Sequence, residues 1–169
     1  MDILTLIKTR RSIRKFKKES VLSKIIKNIL EAGRWAPSGL NNQPWRFMVL
    51  EGELKDKVAS YTKYSYIIKS ADKIILVFLD KACSYNYEKD LLAIGACIQN
   101  MLLYIHSIGL GACWLGEILN RRDEIKKLLC LKENLELEAV LAIGKPAIYP
   151  RKTSRKKVEE LMIKDYTEL

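Results

Sequence analysis

The sequence predicts an α/β-type sandwich, a layered protein in which four strands are separated by helices. Two kinds of observation predict it. Predominantly apolar runs recur at 73–79, which is rich in β-branched residues, and at 137–143, each bounded by polar or glycine-containing breaks. Between such runs lie segments with helical spacing of apolar residues, the longest at 89–108. Hairpin-length links are rare, and periodicity leaves parallel and antiparallel pairing both open.

Taken in order, Asp2 caps a short helix to Thr9 with Ile3, Leu4 and Ile7 on one face. Ser20 is expected to cap a second helix carrying Leu22, Ile25, Ile26, Ile29, Leu30 and Gly33, which Pro37 ends. A loop follows through Pro44. Residues 45–50 read as a strand, 53–61 as a short amphipathic helix, and 73–79 as a buried strand. The segment 89–108 is apolar around nearly its whole circumference, which calls for burial on all sides or against a second subunit; Gly109 closes it. Residues 112–115 form a strand, Asn120 caps a helix with Ile125, Leu128 and Leu129, and 137–143 form the last strand. Gly144-Lys145-Pro146 breaks it, and a basic tail leads to a short helix near 158–163.

The 169 residues, 49% hydrophobic and 30% charged, suit one globular domain spanning 1–169 and exclude a mainly disordered chain. The longest apolar stretches fall well short of the roughly 20 residues a membrane helix needs. Met1-Asp2-Ile3-Leu4 lacks the basic start of a signal peptide, so no membrane association and a cytoplasmic location are expected. The four cysteines form no Cys-x-x-Cys pair and accompany a single histidine, so zinc is not expected. The cysteines read as reduced structural residues, and His106 as a residue packed in its helix.

Thirty basic against twenty acidic residues give a net charge of +10, which attracts anions. The basic residues are densest in two clusters near opposite ends of the chain, at 8–15 and 151–157. In the first, Arg10, Arg11, Ser12 and Arg14 can grip a phosphate, because guanidinium groups offer paired donors; a solvated basic helix end is the plainer alternative. Pro37-Ser38-Gly39-Leu40-Asn41-Asn42-Gln43-Pro44 is dense in amides that could read a heterocycle's edge, or could simply be a turn capping a strand. The stretch 109–117 places glycines on both sides of a short strand, where backbone can approach a ligand; no helix of the dinucleotide-binding pattern follows.

Arg10-Arg11-Ser12-Ile13-Arg14-Lys15-Phe16, then Ala36-Pro37-Ser38 through Asn41-Asn42-Gln43-Pro44-Trp45, then Gly109-Leu110-Gly111-Ala112-Cys113-Trp114-Leu115-Gly116 occur in this order. With Gln99-Asn100, 142–146 and Arg155-Lys156, they make the chain resemble the nitroreductase family of FMN-dependent oxidoreductases over nearly its whole length. The resemblance implies an α+β fold with a mainly antiparallel central sheet flanked by helices, in an intertwined homodimer. It implies that Arg10, Arg11, Ser12 and Arg14 hold the FMN phosphate and ribityl chain, with Arg155 and Lys156 closing on the same phosphate. Pro37, Ser38, Gly39 and Asn41, with Gln43 nearby, would reach the partner's flavin, and Leu115, Gly116 and Glu117 would face the flavin ring.

NADH or NADPH would then reduce the flavin and leave, and a nitroaromatic, quinone or other flat small-molecule acceptor would follow it in a ping-pong cycle. The flavin would carry the chemistry, so no catalytic side chain and no metal are implied. The chain departs from the family in its short 51–72 segment, with Lys63, Tyr64 and Lys69 as candidates for a mid-chain ribityl contact. It also has Gly39 where serine is common and Lys145 where an aromatic is common. A flavin-binding redox sensor without turnover and a basic nucleic-acid-binding module are the rival readings; no nucleic-acid recognition motif appears.

Overall fold

In the computed structural model, which describes residues 2–151 and 153–163, four strands form one sheet in the order β1-β2-β4-β3. The strands are β1 (Trp45–Leu50), β2 (Lys73–Asp80), β3 (Gly111–Leu115) and β4 (Leu135–Gly144). All three pairings are antiparallel, as the α+β expectation requires. Both faces of the sheet are covered, and every residue of β2 is buried, which is why that strand reads as a continuous apolar run.

On one face lie α2 (Ser23–Arg34) and α5 (Tyr87–Ser107). Ile26 and Ile29 of α2 and Ile94, Cys97, Ile98, Met101 and Ile105 of α5 pack there with Ile75, Val77, Leu141 and Ile143. The opposite face carries α3 (Gly52–Ala59), α4 (Ser65–Ser70) and α6 (Arg122–Leu128), which bury Val58, Ala59, Ile67, Ile68 and Ile125 against Leu76, Phe78 and Val140. The first helix, α1 (Ile3–Thr9), begins where the Asp2 carboxylate accepts the Thr5 N–H at 3.0 Å, as expected.

Several local expectations are corrected. Ser20 caps nothing; α2 begins at Ser23, because the Val21 N–H is drawn to the Asp72 carboxylate at 2.8 Å and the chain there stays extended. Leu22 precedes the helix and is exposed. Asn120 lies inside a 3₁₀ turn, Glu117–Arg121, rather than capping α6. Within the single chain α5 leaves Leu92 75% exposed, so of the two expected coverings its own core supplies only part. Of the cysteines, all free, Cys97 and Cys113 are buried, and burial pushes the Cys97 thiol up to about 12; Cys130 is exposed. The tail helix is a 3₁₀ turn at Val158–Leu161. Lys152 of the basic tail lies outside the described residues. Among the described residues no helix is long and apolar enough to cross a membrane.

The segment 12–17 is laid along the end of the sheet. Ser12 bridges Ala112 and Phe16 bridges Pro146, while the Ile13 N–H donates to the Ala112 carbonyl at 2.9 Å. Ile13 and Phe16 turn inward and Arg14 and Lys15 outward. Gly111 makes this docking possible, because a Cβ there would lie 2.6 Å from Ile13 Cγ1.

The start of β4 holds an unusual carboxyl. Beside the register shift in the β2–β4 ladder, the Glu138 side chain is only 10% exposed. Its Oε1 lies 4.0 Å from Arg122 Nη1 and has no hydrogen-bond partner. Burial, and then the neighbouring Glu136 carboxylate, push the Glu138 carboxyl up from 4.5 to about 7, against the pull of Arg122 and Lys81. A carboxyl raised on folding costs stability as it ionises, so stability should fall as pH rises from 4.5 to about 7. Glu138→Gln, which keeps the shape without the charge, should be more stable than the native chain at pH 8, by on the order of 2 kcal/mol. Urea denaturation across this range should show the difference closing toward pH 4.5; a difference independent of pH would contradict the assignment.

Candidate functional site: an arginine cleft beside the edge strand

The two basic clusters, separated by most of the sequence, meet in space. Arg10, Arg11, Ser12 and Arg14 from the segment after α1 face Pro150, Arg151, Thr153 and Arg155 from the tail across a cleft of about 240 Å³. The docking of 12–17 on the sheet brings one wall into place, and the chain leaving β4 past Pro146 brings the other. Lys156 is exposed and does not line the cleft, whereas Arg151, unassigned in the sequence reading, does.

What distinguishes these arginines is their acceptors. Arg11 Nη1 donates to the carbonyls of Lys8 and Arg10, both at 2.7 Å. Arg14 Nη1 reaches the Ser12 carbonyl at 3.5 Å, and Arg155 Nη1 reaches Thr153 Oγ1 at 3.1 Å and the Ser154 carbonyl at 2.9 Å. Among the described residues no carboxylate pairs with Arg10, Arg11, Arg14, Arg151 or Arg155. Burial, then the charges of Arg155 and Arg11, push the Arg10 guanidinium below its usual range. A cluster of cations in mutual repulsion, with donors left over, is a site for a multiply charged anion.

From this cleft β3 leads away. Ser12 lies beside Ala112, and the strand runs about 10 Å on to Leu115. Leu115 is buried, Gly116 is exposed, and Glu117 opens the 3₁₀ turn. Thr62 Oγ1 donates to Glu117 Oε2 at 2.5 Å and draws that side chain aside. This layout, with cationic donors at the start of β3 and exposed backbone past its end, suits an elongated ligand with an anionic head. None of Lys63, Tyr64 and Lys69 lines the cleft; Lys63 stacks over the Tyr64 ring, and Lys69 borders a separate groove. Lys145 is exposed and pairs with Glu19 at 3.1 Å.

The amide loop is elsewhere. Pro37, Ser38, Gly39, Asn41 and Gln43 sit at the opposite end of α5 from the cleft. Leu40, Asn41 and Gln43 all adopt positive φ, at 54°, 53° and 45°, in the left-handed region that non-glycine residues rarely occupy. Ser38 Oγ accepts the Gln43 N–H at 3.0 Å and closes the loop.

Its anchor, which the sequence reading missed, is Asp90 in the first turn of α5. Asp90 is fully buried and accepts from Ser84 Oγ at 2.6 Å, Asn42 Nδ2 at 2.8 Å, and the Tyr85 and Asn86 N–H groups at 3.1 and 3.4 Å. Burial alone would raise this carboxyl; the hydrogen bonds from Ser84, Asn42 and the backbone outweigh it and hold the group below its usual range. The Tyr85 ring lies over Gly39, where a Cβ would come within 2.0 Å of Tyr85 Oη. Only the acid's place in the first turn hints at Asp90 in the sequence.

The other end of α5 carries His106, whose Nε2 lies 3.0 Å from Thr9 Oγ1 beside Arg10 and Arg11. It is half-buried at the edge of the core rather than packed within it. From Asp90 to His106 the helix rises about 24 Å. Within one chain, therefore, the structure brings Arg10, Arg11, Ser12, Arg14 and Arg155 together and leaves the loop apart from them.

The sequence profile described as the Nitroreductase family matches residues 7–72 and 58–145, and the chain belongs to that family. A Desulfovibrio desulfuricans protein crystallised in complex with FMN and described as a nitroreductase superimposes with a TM-score of 0.94. It is 45% identical, over 98% of this chain and 97% of that one. A Methanothermobacter thermautotrophicus protein named as an NADH dehydrogenase/NAD(P)H nitroreductase is 34% identical, over 89% of this chain and 80% of its own length. An iodotyrosine deiodinase of Thermotoga neapolitana is 30% identical, over 83% and 87%.

Asp90→Asn tests the anchor. The amide would turn donors against donors, and the variant should lose about 3 kcal/mol at neutral pH. Because the Asp90 carboxyl is held low in the folded chain, its contribution is present above the ordinary aspartate range and lost as pH falls through its folded value. Denaturation of both chains from pH 7 into acid should therefore show them converging; equal stability at pH 7 would show that Asp90 anchors nothing.

Proposed function

We propose that this chain is an FMN-dependent oxidoreductase that takes electrons from NADH or NADPH and delivers them to flat acceptors such as nitroaromatics or quinones. The observation that carries the reading is the arginine cleft without carboxylates, set at the start of the strand that leads to Leu115–Glu117. The FMN-bound relative, 45% identical, supports it, as do relatives named for NAD(P)H. The 169 residues act as one FMN-binding domain, cytoplasmic by the same reading, with one flavin per chain.

Bound FMN would supply the two-electron chemistry. Arg10, Arg11, Arg14 and Arg155 bind its phosphate, Ser12 adds a hydroxyl at the sheet edge, and Lys156 adds charge at the rim. Backbone at Leu115, Gly116 and Glu117 orients the ring. Donor and acceptor would use one face in turn, which gives ping-pong kinetics. The short 51–72 segment, folded onto the core as α3 and α4, leaves that face open to acceptors of varied shape.

The protein acts as a homodimer in this reading. A loop about 24 Å from its own cleft, measured along α5, can meet a flavin only in a second subunit. Leu40 at 85%, Leu92 at 75% and Trp35 at 71% exposure, with Ile3, Leu4 and Ile7 of α1 also exposed, offer apolar surface for that subunit to cover.

The purified chain should be yellow and should bleach on anaerobic addition of NADH or NADPH. Arg14→Ala should weaken FMN binding about tenfold to a hundredfold, the value of a charge-assisted hydrogen bond, and should lose flavin on dialysis. Full flavin content in that variant would refute the phosphate assignment. A yellow protein that neither nicotinamide reduces would favour the sensor reading instead.

A further inference from the structure

We propose that His106 is a proton-linked positioning residue for the arginine cleft, taking up a proton as a phosphomonoester seats beside Arg10 and Arg11. The inference rests on the phosphate reading given under Proposed function and adds a residue to it.

The geometry begins with the hydroxyl of Thr9, the last residue of α1. Thr9 Oγ1 lies 2.7 Å from the Thr5 carbonyl, to which it donates, and 3.0 Å from His106 Nε2. In the tautomer proposed, Nε2 donates to this oxygen, the hydroxyl proton lying toward the nearer Thr5 carbonyl. That bond ties the end of α1 to the last turn of α5. The residues that follow Thr9 are Arg10, Arg11 and Ser12, one wall of the cleft. His106 therefore sets where this wall begins without touching the anion's site.

The same imidazole is electrostatically poised. It sits in a small cavity lined by Thr9, Arg10, Arg11 and Tyr149 together with apolar side chains. The titratable and charged groups facing it are thus Arg10 and Arg11 from the segment after α1, and Tyr149 from the tail. Burial, then Arg10 and Arg11, push it below the ordinary histidine range. Against them stands the C-terminus of α5, whose carbonyl ends favour a cation in the last turn. The balance turns on whether the two arginines are neutralised. A phosphate dianion seated on them removes the repulsion, and Nδ1, which the Thr9 bond leaves free of that role, takes a proton from solvent. Nε2 keeps its hydrogen, so the tie to Thr9 holds in both states. By linkage, protonation of His106 tightens the anion by the same factor as the anion favours protonation.

His106 is the single histidine of the chain, so its imidazole C2–H signal in the NMR spectrum of the tag-free protein reports on it alone. In flavin-free protein the titration midpoint should lie below 6.5; saturating FMN should raise it by about one pH unit, and riboflavin, which lacks the phosphate, should not. An unchanged midpoint in a complex whose absorbance shows bound FMN would overturn the proposal. So would an equal rise with riboflavin, because the ring rather than the phosphate would then be responsible.

A second measurement separates linkage from scaffolding. The ratio of FMN dissociation constants, His106→Gln over native, should be near one at about pH 8 and rise several-fold by about pH 6. The phosphate's own protonation cancels in that ratio. A ratio that is raised equally at both pH values would mean a merely structural role and would overturn the proposal. If neither chain binds FMN by ultrafiltration at any pH, the proposed function itself fails, an outcome scored by flavin absorbance and independent of the imidazole signal.

Discussion

Holding like charges together is the constraint on which much of this structure depends. Elsewhere the chain pairs its arginines with carboxylates: Arg34 with Glu31 at 2.5 Å, Arg46 with Asp80 at 2.9 Å, Arg121 with Glu124 at 2.6 Å and Arg122 with Glu136 at 2.5 Å. At the cleft it withholds carboxylates and uses main-chain carbonyls instead. A carbonyl orients a guanidinium without neutralising it, so the cluster keeps its positive charge. The mutual repulsion must then be carried by the scaffold. Ile13 and Phe16 buried on either side of Arg14, the bridges of Ser12 and Phe16 to the sheet end, and the Asp2 cap on α1 supply the rigidity.

The sheet converts that local arrangement into a longer layout. β3 is an edge strand of the sheet, and the arginine segment lies against its first half. On the proposed reading, a ligand anchored by a phosphate at Ser12 would extend along the strand toward the exposed Gly116. The glycines that flank β3 serve different purposes. Gly111 admits Ile13 to close contact, and Gly109, at φ 75°, turns the chain out of α5. What the sequence shows as one glycine-rich stretch is in space a helix stop and a docking point, with an open end at Gly116.

Much of this was legible in the sequence, for identifiable reasons. Residues 45–50 were read as a strand to the residue, because Pro44 before it and the helix start after it punctuate the chain. β2 and β4 announce themselves as apolar runs because both faces of the sheet are covered. α4 was not read: its six residues, Ser65–Ser70, give less than two turns of periodicity, and they are helical because Ile67 and Ile68 are buried against the sheet. Ser20 failed as a cap because a distant residue, Asp72, claims the backbone beside it. In the site, arginines so dense in so short a stretch could be read, whereas Asp90 could not. A lone acid at a helix start is ordinary, and its four donors come together only through folding. Arg151 was passed over for the same reason, since only the fold of the tail shows which basic residues turn toward Arg10.

The long helix gives these parts their common logic. Its N-terminus, where unpaired N–H groups carry partial positive charge, holds the buried Asp90 and through it the strained loop. Its C-terminus, with partial negative charge, faces Arg10 and Arg11 and carries His106. Each end of the helix thus stabilises the sign of charge placed there, and the loop and the cleft are kept a helix length apart. A single chain cannot bring them together by bending α5, since its side chains Ile94, Cys97, Ile98, Met101 and Ile105 are locked against the sheet. A second copy, related by a twofold axis, could set its loop over the first chain's β3 end with both helices intact. In such an arrangement the separation built into one subunit becomes the means of assembling two equivalent sites, and the rigidity of α5 fixes how closely the loop of one chain approaches the cleft of the other.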